Sequence, residues 1–254
     1  VRLKLKVIVA ILVVSTIAGF GWWMWRADRL GVFEVLIIGK TRPVPDAKRY
    51  EVLSAEAKRW RENLAEDYRK AKTPEQRLVV EEDARIILEF IMPEMMRCWL
   101  GTGYDFNGTA EKPGHGKIAC GYFVSTVLRD AGFRVNRYKL AQQPSQNILR
   151  SFIESENCVL KVGQDFGTYV DWVEGLDEGI YLIGLDTHVG FIVNGNDGLH
   201  FFHSSAARSI GVVEEGSEDA GAIEGSNWRM LGSFSGDSGV IRNWLAGKKV
   251  TVVE

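Results

Sequence analysis

Residues 179–203 read GIYLIGLDTHVGFIVNGNDGLHFFH, and their pattern decides the fold class. Three short apolar runs stand out: Gly179 to Leu185, His188 to Val193 and Leu199 to His203. Asp186-Thr187 separates the first two. Asn194-Gly195-Asn196-Asp197-Gly198 separates the second and third. Both separators are turn chemistry, so the stretch predicts an antiparallel meander. Ser209 to Glu214 and Trp228 to Phe234 predict two further strands. Between them, Glu215 to Ser226 is acidic and rich in small residues, and reads as an exposed loop.

Upstream the period changes. Ser54 to Lys70 is charged and helical, with Ala55, Trp60, Leu64 and Tyr68 at roughly helical spacing. Thr73-Pro74-Glu75-Gln76 is a helix start: Thr73 can cap, Pro74 suits the first helical position, and Gln76 completes a capping box. The helix that follows runs through Leu78, Val79, Ile86, Ile87 and Phe90, and Pro93 is expected to kink or end it. Gly101 to Gly116 is a polar, Gly-rich loop. Cys120 to Ala131 predicts an amphipathic helix with Val124, Val127, Leu128 and Ala131 on one face, stopped by Gly132. Arg134 to Leu140 is read as a strand, and Pro144 to Glu156 and Phe166 to Trp172 as helices. Helices first and a meander afterwards predict an α+β domain.

Composition narrows the function classes. The chain has 254 residues, 46% hydrophobic, which excludes a disordered or fibrous chain. Lys+Arg total 31 against 33 Asp+Glu, so no basic field favours nucleic acid. Three cysteines cannot form a disulfide framework without leaving one unpaired. Val7 to Trp25 holds 19 residues without a charge. At about 1.5 Å per residue that nearly spans a hydrocarbon core of roughly 30 Å. Arg2, Lys4 and Lys6 precede it, and Trp22, Trp23 and Trp25 mark its far end. The pattern predicts a single-pass anchor with a cytoplasmic N-terminus and the rest of the chain outside the cytoplasm. A cleaved signal peptide, giving a secreted protein, is the rival, but no polar break follows Ala18 and Gly19. The expected organisation is therefore an N-terminal anchor (1–30), a linker and helical extension (31–84), and a catalytic domain (85–254).

One constellation carries chemistry. Cys120 sits between a Gly-rich loop and a helix, at the positive helix end, where a thiolate is stabilised and a backbone N–H can hold an oxyanion. If Asn194 to Asp197 form a four-residue hairpin loop, positions pairing across it sum to 391. His188 then faces His203 on one side of the sheet, and His200 points to the other. A thiol with one imidazole as base and a second polar group to orient it is an acyl-transfer set. Cys98 and Cys158 read as packing residues.

The sequence around these residues resembles the NlpC/P60 cysteine peptidases. Leu100-Gly101-Thr102-Gly103-Tyr104-Asp105-Phe106-Asn107-Gly108 is similar to the family's Gly-Thr-x-Tyr-x-x-Gly-Gly lead-in. Ile118-Ala119-Cys120-Gly121-Tyr122-Phe123-Val124 resembles its Asp-Cys-Ser-Gly-Phe-Val. His188-Val189-Gly190-Phe191-Ile192 resembles its His-Val-Gly-Ile-Tyr, and Leu199-His200-Phe201-Phe202-His203-Ser204 its Phe-Ile-His-Ala. The motifs occur in the family's order over roughly residues 85 to 235. The resemblance implies a papain-like core, with a Cys-bearing helix on an antiparallel sheet, that hydrolyses amide bonds of cell-wall peptides. It implies Cys120 as nucleophile, His188 as base and His203 as orienting third member, without cofactor or metal. Tyr104 and Gly121 become the oxyanion and substrate-lining candidates. Ala119 and Gly121 replace the family's Asp and Ser, which help bind a stem-peptide amine, so that specificity does not carry over. The 67 residues between Cys120 and His188 contain Pro144 to Glu156, an extra stretch able to reshape the cleft.

Three other readings stay open on sequence alone. Zinc would find the right atoms in Cys120, His188, His203, His115 and His200, yet no C-x-x-C or H-E-x-x-H spacing is present. The same acyl-enzyme resolved by an amine would give a transpeptidase or acyltransferase. A catalytically idle module could hold wall peptides in the same cleft.

Overall fold

The computed structural model describes residues 43–207 and 211–254, and residues 44–254 form one compact unit. The expected span Val7 to Trp25, the stretch Val32 to Ile38, read as linker or short strand, and the start of the strand at Ser209 lie outside the described residues. Among the described residues no helix is long and apolar enough to cross a membrane.

Two long helices open the unit. In α1 (Ala47–Lys70) Asp46 caps the N-terminus by accepting from the Arg49 N–H at 2.9 Å. Tyr50, Ala57 and Leu64 form its buried stripe. The sequence placed Ala55 and Trp60 inward, and both face outward. The helix begins seven residues earlier than expected, and Tyr50, in its first turn, sets the stripe.

In α2 (Pro74–Arg97) the capping box forms as expected: Thr73 Oγ1 accepts from Gln76 N–H, and Gln76 Oε1 accepts from Thr73 N–H. The expected apolar face does not. Leu78, Val79, Ile86 and Phe90 are exposed, while Ala84, Leu88, Ile91, Met92, Met95 and Met96 are buried. The helix carries two apolar stripes, and the one spaced four, three and four residues apart fits its neighbours. Pro93 neither ends nor interrupts the helix, because Met92, Met95 and Met96 pack it in place.

Six antiparallel strands follow: β1 (Cys158–Val162), β2 (Gly179–Leu185), β3 (Val189–Gly195), β4 (Gly198–Ser205), β5 (Gly211–Gly216) and β6 (Trp228–Ser233). Their order across the sheet is β1-β6-β2-β3-β4-β5. The protein is α+β with this single sheet. One face, through Ile180, Leu182, Phe191 and Phe202, shares a core with α1, α2 and α3 (Cys120–Asp130). The other, through Tyr181, Ile183, Ile192 and Phe201, packs with α6 (Phe166–Glu174) and the short α7 (Gly221–Glu224). Burial on both faces explains why the central strands read as unbroken apolar runs instead of alternating ones.

Three local expectations change. Arg134 to Leu140 is not a strand; it contains α4 (Arg137–Ala141), started by Asn136, which accepts from the Lys139 N–H. Pro144 to Glu156 is α-helical only over α5 (Ser145–Arg150), with a 3-10 turn from Ser155, because Phe152 and Ile153 leave the helix to join the core. The acidic segment after 214 is partly structured: Glu215 lies in β5, and Ala220 and Ile223 are buried. The final helix α8 (Ser238–Leu245), capped by Asp237, packs on α1 and α2.

The β3–β4 hairpin matters most. Gly195 pairs with Gly198, so the loop is Asn196-Asp197 and pairing positions sum to 393, not 391. Asn194 stays in the strand because its side-chain amide is buried and donates to the Leu176 carbonyl. A shift of two residues preserves parity, so His188 and His203 still share a face.

Candidate active site

The β3–β4 ladder ends at Phe191↔Phe202, although β3 begins at Val189 and β4 continues to Ser205. The segment leading into α3 enters where they part. Ser204 Oγ donates to the Ile118 carbonyl, and the Cys120 sulfur lies within reach of the Val189 N–H. The N-cap, Ala119, has no side-chain acceptor, so the N–H groups of the first turn remain free to face the sulfur. Those of Cys120 and Gly121 do so.

The thiol is not the low-pKa group that helix position alone suggested. Burial pushes it up, and the N–H groups of Val189, Gly121 and Cys120 only partly offset this. The resting site therefore holds a thiol, and deprotonation needs a base.

The candidate base, His188, is placed by a two-residue turn. Asp186-Thr187 joins β2 to β3, and Asp186 accepts from the N–H groups of Asn227 and Trp228. His188 follows, its carbonyl accepting from Leu185 N–H. Its Nε2 lies 2.7 Å from Nδ1 of His203. His203 is fully buried and stacks on Phe201, with ring centroids 4.0 Å apart. Gly190 makes this approach possible: a Cβ there would lie 2.6 Å from Phe201 Cε2 and 3.0 Å from His203 Cβ. His203 Nε2 lies 3.0 Å from a Glu215 carboxylate oxygen, a residue that sequence reasoning assigned to a loop. Its place depends on the register of β5 against β4. Phe201 pairs with Glu215, so a fifth strand in register puts Glu215 diagonally beside His203.

Cys120, Gly121, His188 and Val189 line one cleft of about 440 Å³. Its far wall is the inserted segment: Pro144, Ser145, Gln146 and Ile148, with Ser145 Oγ tied to the Leu185 carbonyl. Apart from Cys120 and His188, the one ionisable side chain among the lining residues is Asp186, already engaged by the turn. Among the described residues no hydrogen bond joins the Cys120 sulfur to the His188 ring. Tyr104 is near the cysteine, and burial, Cys120 and Asp105 together push its phenol up, leaving it a neutral donor. His200 lies on the opposite face against Glu214, and His115 is exposed. Among the described residues no group of three or more His, Cys, Asp or Glu side chains is arranged to hold a metal.

Gly121 stands where the resembled motif has Ser, and packing gives the reason. A Cβ at 121 would overlap the carbonyl oxygen of Ala141, at the end of α4. Gly121→Ser is expected to cost about 1–3 kcal/mol by overpacking. Unfolding in urea would read this as a lowered midpoint; an unchanged midpoint would mean that α4 yields freely.

His188 gives a pH prediction. Burial first, then the neighbouring His203, pushes its pKa down to about 3. The unfolded chain takes up this proton near pH 6.5 (about the free value). Between those values the unfolded state binds more protons, so stability falls as pH drops through the window, by at most ~1.4 kcal/mol per pH unit. Replacing His188 by Asn should flatten the stability profile between pH 6.5 and 4. Identical slopes in the two proteins would contradict the buried neutral ring.

No family model, curated protein or solved structure matches the chain.

Proposed function

We propose that this chain is a papain-like cysteine hydrolase of NlpC/P60 type that cleaves amide bonds, with cell-envelope peptides as its substrate class. The observation that carries the reading is the grouping of Cys120, at a helix N-terminus, with His188 in one cleft, and of His188 with a fully buried His203. In the proposed mechanism the Cys120 proton passes to His188, and sulfur attacks the scissile carbonyl. In this reading the N–H groups of Cys120 and Gly121 and the Tyr104 phenol receive the oxyanion. His188 returns the proton to the leaving amine, and water then resolves the thioester. Catalytic hydrogen bonds are often long before substrate arrives, which accommodates the missing sulfur–imidazole contact.

A charge-poor cleft suits an uncharged peptide segment. With Ala119 in place of Asp, no carboxylate beside the cysteine awaits a free amine. The apolar N-terminal stretch supports placement of the domain at the outer face of a membrane. Incubating isolated wall peptides with the protein and resolving the products by mass spectrometry tests the reading. Products heavier by one water in total support hydrolysis. Amine adducts would redirect the proposal to acyl transfer, and binding without turnover would reject it.

A further inference from the structure

We propose that Glu215 is a positioning residue that sets the tautomers of both imidazoles and so leaves the lone pair of His188 on Nδ1. The inference rests on reading Cys120 as nucleophile and His188 as its base.

The contact between His188 Nε2 and His203 Nδ1 can be made in two ways, because either nitrogen can be the donor. In one, His188 Nε2–H donates and His188 Nδ1 is bare. In the other, His203 Nδ1–H donates, and neutral His188 carries its proton on Nδ1. Only the first provides a base at the nitrogen not used by His203. The pair itself does not choose.

Glu215 does. A carboxylate only accepts, so the 3.0 Å contact places a proton on His203 Nε2. Neutral His203 is then an acceptor at Nδ1, His188 donates from Nε2, and Nδ1 of His188 is bare. When the S–H bond of Cys120 breaks and an N–H bond forms at His188 Nδ1, the new imidazolium donates through His203 toward a fixed negative charge. Ring rotation does not bypass this, because His203 has no exposure and is stacked on Phe201.

The neighbouring acid shows what a structural role looks like. Glu214 points to the other face, where it holds Arg97 and His200. Glu215 makes no ion pair with Lys or Arg among the described residues; its recorded partner is His203.

Long-range proton–nitrogen NMR of the 15N-labelled full chain near neutral pH reads tautomers without any substrate. In the wild type, both rings should carry the proton on Nε2. Glu215→Leu leaves a buried His203 N–H without an acceptor, which should shift the tautomer ratio by about tenfold or more. Alkylation of Cys120 by iodoacetamide should slow by a similar factor. Glu215→Gln keeps an acceptor and should preserve both readouts within about threefold, and Glu214→Gln should leave the tautomers unchanged. A wild type with His188 protonated on Nδ1 overturns the proposal, whether or not Glu215→Leu folds. So does a Glu215→Leu protein with unchanged tautomers. If the tautomers behave as stated but turnover survives loss of Cys120, the positioning stands and the hydrolase reading fails.

Discussion

Cys120→Ala should abolish turnover of wall peptides, by on the order of 10⁵–10⁶-fold or to the detection limit. The effect is large because in the proposed mechanism the thiol forms the covalent bond, and among the described residues no second thiol lines the cleft. Ser145 and Thr187 bring hydroxyls to the wall, and that of Ser145 is committed to the Leu185 carbonyl. Folding should be nearly unaffected. The side chain is half-buried, its removal exposes no charge, and α3 keeps Phe123, Val124, Val127 and Leu128 in the core. Circular dichroism and the urea midpoint should match the wild type while product formation disappears. Residual turnover above about 1% would mean that Cys120 is not the nucleophile.

Arg137→Met should be strongly damaging away from the cleft, costing about 2–5 kcal/mol through the buried carbonyls it leaves unpaired. The guanidinium is 3% exposed. It donates to Thr126 Oγ1 at 2.6 Å, to Glu111 Oε1 at 2.8 Å, and to the Thr109 and Ala110 carbonyls. Tyr122 and Tyr138 cover it, with its central carbon 4.9 and 5.2 Å from their centroids. One side chain thus ties the loop before Cys120 to both α3 and α4. Methionine fills much of the volume but strands the Thr109 and Ala110 carbonyls. Arg137→Lys should recover little, since an ammonium cannot donate as a planar fork in these directions at once. Guanidinium unfolding should show a lower midpoint at unchanged m-value. A midpoint within experimental error of the wild type would show that the loop is held by other contacts.

The sequence made the sheet legible because strands buried on both faces are continuous apolar runs bounded by strong turn residues. Four of the five strands read from it begin within two residues of their observed starts, as Gly179 and Trp228 show; for the fifth, the expected start at Ser209 lies outside the described residues. The capping box at Thr73 was legible for a similar reason: it is local chemistry. Helix faces were not. Both stripes of α2 are apolar, and only the contacts with α1 and α8 decide which one is buried. The site shows the same division. His188 and His203 could be paired from parity alone, which survived a hairpin loop shorter by two residues. Glu215 could not, because its place depends on the register of β5 against β4. The thiol's acidity also lay beyond the sequence. Helix position argues for a low value, whereas burial, which only the packed structure reveals, argues for a raised one and prevails.

The central claim is that His188 activates Cys120. Site-resolved mass spectrometry of iodoacetamide labelling near pH 7, in the wild type and in His188→Asn, tests it most directly. The wild type should label Cys120 faster than Cys98 and Cys158, and His188→Asn should slow Cys120 alone by about tenfold or more. A Cys120 rate that is the same with and without the imidazole would contradict the account.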